Sequence, residues 1–120
     1  SLVSENKVLC HPASVDSIPT SANQEDHNSM GSIGARKAFE VINNVKKILS
    51  VEFLCAVQGM DFLRPLKSGK GSEEAYRYIR SRVGHISEDT ISSEEMLKIS
   101  EIIFDERFLK AVEKKTGKLE

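Results

Sequence analysis

The stretch from Gly31 to Leu63, GSIGARKAFEVINNVKKILSVEFLCAVQGMDFL, decides the fold. Its apolar residues recur every three or four positions, close to the 3.6-residue period of an α-helix. The members of this stripe are Ala38, Ile42, Val45, Leu49, Phe53, Ala56, Met60 and Leu63. Charged and amide side chains between Arg36 and Lys47 occupy the other side of the first half. We predict one very long helix over residues 31–64.

The second half of this helix, residues 51–60, is apolar on nearly every side and is interrupted only by Glu52 and Gln58. A helix of that kind needs packing partners all round. At ~1.5 Å per residue the helix is on the order of 50 Å long, about twice the diameter of a domain of this size. We therefore expect it to belong to a larger helical bundle or an oligomer. The chain opens with Ser1 rather than Met, so we also expect it to be a piece of a longer protein.

Residues 65–120 are predicted to form a C-terminal helical region. Pro65 ends the long helix because proline lacks an amide donor and disfavours helix at the preceding residue. After a loop over residues 66–71, Ser72 is predicted to cap a short helix that stops at Gly84.

Two more signals mark the last helices. Ser92 with Glu95 forms a capping-box pattern, and Gly117 is predicted to end the final helix. No strand pattern is visible along the chain. The predicted fold class is therefore all-α, with an extended polar loop, one very long bundle helix and two or three shorter helices.

Composition narrows the possible partners. The formal net charge is -1, so no overall field favours nucleic acid or an anionic membrane. No apolar run approaches the roughly 20 residues of a membrane-spanning helix. Cys10 and Cys55 lie in apolar surroundings without a Cys-x-x-Cys spacing, which predicts free, buried thiols in a cytoplasmic protein.

Residues 1–30 contain two prolines and no sustained period, which predicts an extended segment. Its hydrogen-bonding and titratable residues are Asp16, Asn23, Gln24, Glu25, Asp26, His27 and Asn28. Consecutive side chains in a loop rarely converge on one ion, and no metal-ligand spacing is present, so we predict no metal site. On composition alone, a loop that caps the following helix and satisfies nearby amides is the better explanation.

The sequence motifs of this segment and of the long helix resemble those of a known family. The segment SENKVLCHPASVDSIPTSANQEDHNSMGSIGARKAFEVINNVKKIL, residues 4–49, resembles the C-terminal third of aromatic amino acid lyases, in the branch that acts on histidine. The signature over Ser14–Met30 matches in order, and the helix start GSIGARKA follows in register. The resemblance covers essentially the whole chain, is strongest over residues 4–65, and is loose after residue 71.

The resemblance implies an activity, a cofactor and an assembly. Members of the family are all-helical homotetramers whose active sites combine segments of three subunits. The histidine branch eliminates ammonia from L-histidine to give trans-urocanate, in histidine catabolism. Its electrophile is a methylidene-imidazolone (MIO) group formed from an internal Ala-Ser-Gly. Here Ala13-Ser14 is followed by Val15, and the family's proton-abstracting Tyr and carboxylate-binding Arg have no counterpart, so we expect the chain alone to be inactive.

Glu25 matches the active-site glutamate of the family motif Gln-Glu-Asp-His. A carboxylate there accepts a hydrogen bond from the imidazole or the ammonium group of histidine. Relatives that act on phenylalanine and tyrosine carry an amide at this position, so Glu25 favours histidine as substrate. The remaining assignments from the resemblance are Gln24 and Asn23 in substrate binding and Asp16, Asp26 and His27 in organising the loop.

Two alternatives stay open from the sequence. The first is a non-catalytic helical assembly module that keeps the bundle and lacks the chemistry. The second is a lyase or aminomutase that acts on another aromatic amino acid. The partners expected under the leading hypothesis are L-histidine, the remainder of the lyase polypeptide and further copies of the subunit, without nucleic acid or membrane.

Overall fold

The computed structural model describes residues 1–89 and 91–119, and these form two compact units. The first unit is Ser1–Ile48, and the second runs from Leu49 onward. The five α-helices are α1 (Leu2–Leu9), α2 (Gly31–Phe62), α3 (Lys70–Arg80), α4 (Ser92–Ile103) and α5 (Glu106–Thr116). The described residues contain no β-sheet, which confirms the predicted all-α class.

The very long helix is confirmed as α2, which has 32 residues and ends one residue before the last member of the predicted stripe. Much of its apolar surface is uncovered, with Ile42 54%, Val45 40% and Phe62 76% exposed. This exposure agrees with the expectation that the helix needs neighbours beyond this chain. Among the residues that the structure describes, no helix is both long enough and apolar enough to cross a membrane.

Helix α1 corrects the prediction that residues 1–30 are extended. In the first unit, the Asn44 amide Nδ2 donates to Glu5 Oε2 at 3.1 Å and to Asn6 Oδ1 at 3.0 Å. Asn44 is only 7% exposed, although the pattern placed it on the solvent side of α2. The polar side of α2 therefore holds α1 by hydrogen bonds, and in this unit Ile42 and Val45 of the apolar stripe stay exposed.

The second unit is built on a small apolar core. Its buried residues are Leu54, Val57, Ile79, Val83, Ile99, Ile102 and Phe108. Phe108 lies edge-to-face with Phe53 and Tyr78, with ring centroids 6.0 and 5.5 Å apart, the arrangement that aromatic pairs favour. Residues of α2, α3, α4 and α5 thus share one core.

Glycine permits the close approach of α3 and α5. A β-carbon at Gly71 would lie 2.8 Å from the Thr116 side-chain methyl, closer than such atoms can pack. The residue after Thr116 is Gly117, which has φ 87° and ends α5 as predicted.

Asp61, near the end of α2, is the centre of a polar network in the second unit. Its carboxylate accepts hydrogen bonds from the Tyr76 hydroxyl at 2.6 Å and from Arg80 Nη2 at 2.7 Å, and His85 Nδ1 lies 2.6 Å away. Burial alone would raise the pKa of Asp61. The hydrogen bonds from Tyr76, His85 and Arg80 outweigh burial and hold that pKa at about 2, below the usual 3.8.

Both predicted side-chain caps are wrong. Helix α3 begins at Lys70, after Gly69, so Ser72 lies inside the first turn and makes no cap hydrogen bond. Helix α4 begins at Ser92 itself, and the Glu95 carboxylate pairs with Lys98 at 2.9 Å instead of reaching back to the helix start.

The cysteine prediction is half confirmed. Cys10 and Cys55 are both free, as expected. Both are exposed rather than buried, because Cys10 follows the last turn of α1 and Cys55 lies on a side of α2 that no described residue covers.

We expect Ile79→Ala to lower the free energy of unfolding by about 2–5 kcal/mol, because Ile79 is fully buried and its truncation leaves a cavity. The matched control is Leu97→Ala, since Leu97 is 66% exposed on α4 and should change stability by less than about 0.5 kcal/mol. Urea unfolding of both variants measures the difference. Equal losses in the two variants would contradict the core assignment.

We expect Asp61→Asn to lower the unfolding free energy at pH 7 by about 2 kcal/mol, through loss of charge-assisted hydrogen bonds. Because the pKa of folded Asp61 is about 2 rather than 3.8, its stabilisation is complete above about pH 4 and is lost as the pH falls toward 2. The gap between wild type and variant should therefore shrink over that range. Glu101→Gln, an exposed carboxylate on α4, is the control; a gap independent of pH would contradict the assignment.

Candidate functional site

The polar loop before α2 is folded into a hairpin-like shape by its own side chains and backbone. Residues Ala13–Asp16 form a short 3₁₀ turn, and Ser17 continues in extended conformation. The Ser17 hydroxyl accepts a hydrogen bond from the Asn28 amide at 2.8 Å and donates to the Asn28 carbonyl at 3.0 Å. One side chain thereby closes the base of the loop across 11 residues.

The tip of the loop is joined by Thr20 and Glu25. Their backbones form an antiparallel bridge, with Thr20 N donating to Glu25 O at 2.7 Å and Glu25 N donating to Thr20 O at 3.3 Å. The Thr20 hydroxyl also donates to Glu25 Oε2 at 3.0 Å. Three hydrogen bonds therefore fix Glu25 against Thr20.

The turn between these two residues is left-handed. Ser21, Ala22 and Asn23 have φ values of 53°, 55° and 68°, and the Gln24 amide closes the turn on the Ser21 carbonyl at 3.1 Å. Residues with a β-carbon adopt this conformation at a cost on the order of 1 kcal/mol each. Asn tolerates it better than most residues.

The residue predicted to be catalytic, Glu25, and the two predicted to bind substrate lie at one end of the loop. Asn23, Gln24 and Glu25 are consecutive at the loop tip, and all three are exposed. Glu25 is the one whose side chain is held, because its Oε2 is bonded to Thr20. The tip therefore presents a carboxylate and two amides on an ordered backbone.

The residues predicted to organise the loop make no such bonds. Within the described part of the chain, the Asp16, Asp26 and His27 side chains have no hydrogen bond or ion pair. The observed bonds come from Ser17 and Thr20, and Ser29 Oγ accepts weakly from the Gly31 amide at 3.4 Å. Ser and Thr hydroxyls that bond to nearby backbone are a known loop signal, but the sequence does not say which hydroxyl is used.

A metal site at this loop has no geometric support. Among residues 1–89 and 91–119, no group of three or more His, Cys, Asp or Glu side chains is arranged to hold an ion. The candidate ligand side chains of the loop, Asp16, Glu25, Asp26 and His27, are all exposed.

The helix that follows the loop adds a favourable field. Helix α2 begins at Gly31, three residues after the Ser17–Asn28 contact. The first amides of a helix have no partner within the helix and carry partial positive charge. Negative charge near the base of the loop is therefore stabilised.

The Asp61 network is the other cluster of titratable groups, and its geometry is structural. The acceptor oxygens of Asp61 are occupied by Tyr76, Arg80 and His85. Gln58 adds further bonds, accepting from Arg80 Nη2 at 3.0 Å and donating to the Ile86 carbonyl at 2.7 Å. These groups bind one another and tie α2, α3 and the following loop together.

The family follows from the sequence that carries this loop. Residues 1–81 of the 120 match the family model described as aromatic amino acid lyase, and the whole of Ser14–Met30 lies within the match. The chain belongs to the aromatic amino acid lyase family. This finding agrees with the resemblance noted in the sequence.

Individual relatives are similar over almost the entire chain. Histidine ammonia-lyase of Natranaerobius thermophilus is 50% identical over 119 residues, which cover 99% of this chain and 24% of that protein. The crystal structure of histidine ammonia-lyase from Trypanosoma cruzi matches with a TM-score of 0.87 at 44% identity, over 95% of this chain and 23% of that one.

A tyrosine aminomutase from Streptomyces globisporus also matches, with a TM-score of 0.85 at 30% identity, over 98% of this chain and 22% of that one. The chain spans about a quarter of the length of the relatives it matches, and it aligns with the C-terminal part of the curated ones.

Proposed function

We propose that this chain is the C-terminal part of an ammonia-lyase that eliminates ammonia from L-histidine to give trans-urocanate. In this proposal the chain contributes Glu25 to the active site. The observation that carries it is the Glu25 carboxylate, held at the tip of an ordered loop inside the segment that matches the lyase family. The identity of 50% to a protein named histidine ammonia-lyase supports the substrate.

Glu25 is proposed to contact the substrate directly. Its carboxylate accepts a hydrogen bond from the imidazole N–H or the ammonium group of histidine, and such charge-assisted bonds are the stronger ones. Gln24 and Asn23 are proposed to bind substrate alongside it, because their side chains are exposed at the same tip. The amides at the start of α2 would stabilise negative charge that develops during the reaction.

The alternative substrate class is another aromatic amino acid, and the match to a tyrosine aminomutase favours keeping it as a candidate. Two observations favour histidine. Identity to the histidine ammonia-lyase structure is 44%, compared with 30% to the aminomutase. The carboxylate of Glu25 also differs from the amide that relatives specific for phenylalanine and tyrosine carry.

The electrophile of the reaction is proposed to be a methylidene-imidazolone group. This chain does not contain its Ala-Ser-Gly precursor, so the group would be supplied by another part of the complete enzyme. Once formed in the complete enzyme, it would provide the electrophile that activates the substrate for loss of ammonia. The residues of this chain bind and orient the substrate beside it.

We further propose that the complete enzyme is a homotetramer of the cytoplasm. The exposed apolar residues of α2, such as Ile42, Val45 and Phe62, are suited to burial against other helices. Two free, exposed cysteines suit a reducing compartment. The non-catalytic assembly module remains the alternative, and activity measurements separate the two.

In the complete enzyme, we expect Glu25→Gln to lower kcat for L-histidine at least about a hundredfold. Glutamine keeps the shape of the side chain but removes its charge, so the melting temperature should stay within about 1 °C. Steady-state formation of urocanate and thermal unfolding measure the two quantities.

The matched control is Glu106→Gln. Glu106 is an exposed carboxylate on α5, paired with Lys110, and lies outside residues 1–81. Its variant should keep wild-type kcat. Wild-type turnover in Glu25→Gln would contradict the proposed role of Glu25 and leave the loop with a purely structural role.

We expect the 120-residue chain alone to form no urocanate from L-histidine, because it lacks the precursor of the electrophile. The positive control is the complete enzyme at the same molar concentration of polypeptide chains. Turnover by the isolated chain above a mock-purified blank would contradict the proposed division of the active site.

A further inference from the structure

Thr20 makes the direct side-chain contact to Glu25. Its hydroxyl donates to Glu25 Oε2 at 3.0 Å, and the two residues share a pair of backbone hydrogen bonds. Among the described residues, no other side chain donates to the Glu25 carboxylate. The orientation of that carboxylate therefore depends on one hydroxyl.

The loop backbone adopts an unfavourable conformation next to this contact. The three residues between Thr20 and Gln24 all have positive φ, although none of them is glycine. Such a conformation persists only where the surrounding bonds enforce it, and it is concentrated at sites with a function. The Thr20–Glu25 bridge at the tip and the Ser17–Asn28 bonds at the base supply that enforcement.

We propose that Thr20 is a positioning residue for Glu25. Its hydroxyl occupies Oε2 and fixes the plane of the carboxylate, which leaves Oε1 free to accept an N–H of the substrate. A carboxylate held in one orientation loses less freedom when substrate binds, so the hydrogen bond forms in the geometry that the reaction needs. The inference rests on the proposed function, in which Glu25 contacts substrate.

Two substitutions of Thr20 distinguish a positioning role of its hydroxyl from a packing role of its methyl group. Thr20→Val keeps the branched shape and removes the hydroxyl, whereas Thr20→Ser keeps the hydroxyl and removes a methyl group. If the hydrogen bond matters, the serine variant retains activity and the valine variant does not. If only shape matters, the order is reversed.

The test uses the complete enzyme with L-histidine. We expect Thr20→Val to lower kcat/KM about tenfold or more, the scale of a lost hydrogen bond to a charged group. Thr20→Ser should stay within about threefold of wild type. The matched control is Thr116→Val, whose hydroxyl donates to the Val112 carbonyl within α5, and it should leave kcat/KM unchanged.

A double-mutant cycle identifies the residue through which Thr20 acts. In the Glu25→Gln background, Thr20→Val should lower kcat/KM by less than about twofold, because the group it orients is already altered. An equal loss in both backgrounds would overturn the inference, as would equal losses in Thr20→Ser and Thr20→Val accompanied by a lower melting temperature.

The two proposals fail in different ways. Wild-type activity of Thr20→Val together with an inactive Glu25→Gln would overturn the role of Thr20 and leave the proposed function intact. Wild-type activity of Glu25→Gln would overturn the role of Glu25, and the role of Thr20 with it.

Discussion

The constraint behind this structure is a 32-residue helix that the chain covers on only part of its surface. The helix is held by hydrogen bonds in the first unit and by apolar packing in the second. In the first unit, the buried Asn44 amide holds α1 by hydrogen bonds to Glu5 and Asn6. In the second unit, Leu54 and Val57 enter an apolar core with α3, α4 and α5. Other apolar side chains of the helix, among them Ile42, Val45 and Phe62, remain exposed.

The loop before that helix is held by hydrogen bonds rather than by a hydrophobic core. Its atoms are mostly exposed, so apolar burial contributes little to its shape. Ser17 and Thr20 supply hydrogen bonds across the loop, and these offset the cost of three left-handed residues. A loop built in this way places its side chains through directional bonds.

The sequence predicts the parts of this fold that depend on long periodic patterns. Helix α2 and the end of α5 at Gly117 are recovered because spacing and glycine conformation act locally. Helix α1 escapes prediction because its contact with α2 is made by Asn6 and Glu5, polar residues that break an apolar pattern. The caps at Ser72 and Ser92 fail because each serine lies inside its helix: α3 begins at Lys70 and α4 begins at Ser92 itself. In the loop, the motif singles out Glu25 as a candidate, but the hydrogen bond to Glu25 from Thr20 depends on a turn that only the folded backbone defines.

The core of the second unit extends past the residue at which the match to the family model ends. The family pattern ends at residue 81, whereas Val83, Ile99, Ile102 and Phe108 lie beyond it among the buried apolar residues. The end of the match to the family model is therefore not the end of the folding unit. A chain cut at that position would leave Ile79 facing water, so the residues after position 81, about a third of the chain, are needed to complete a core that begins inside the family match.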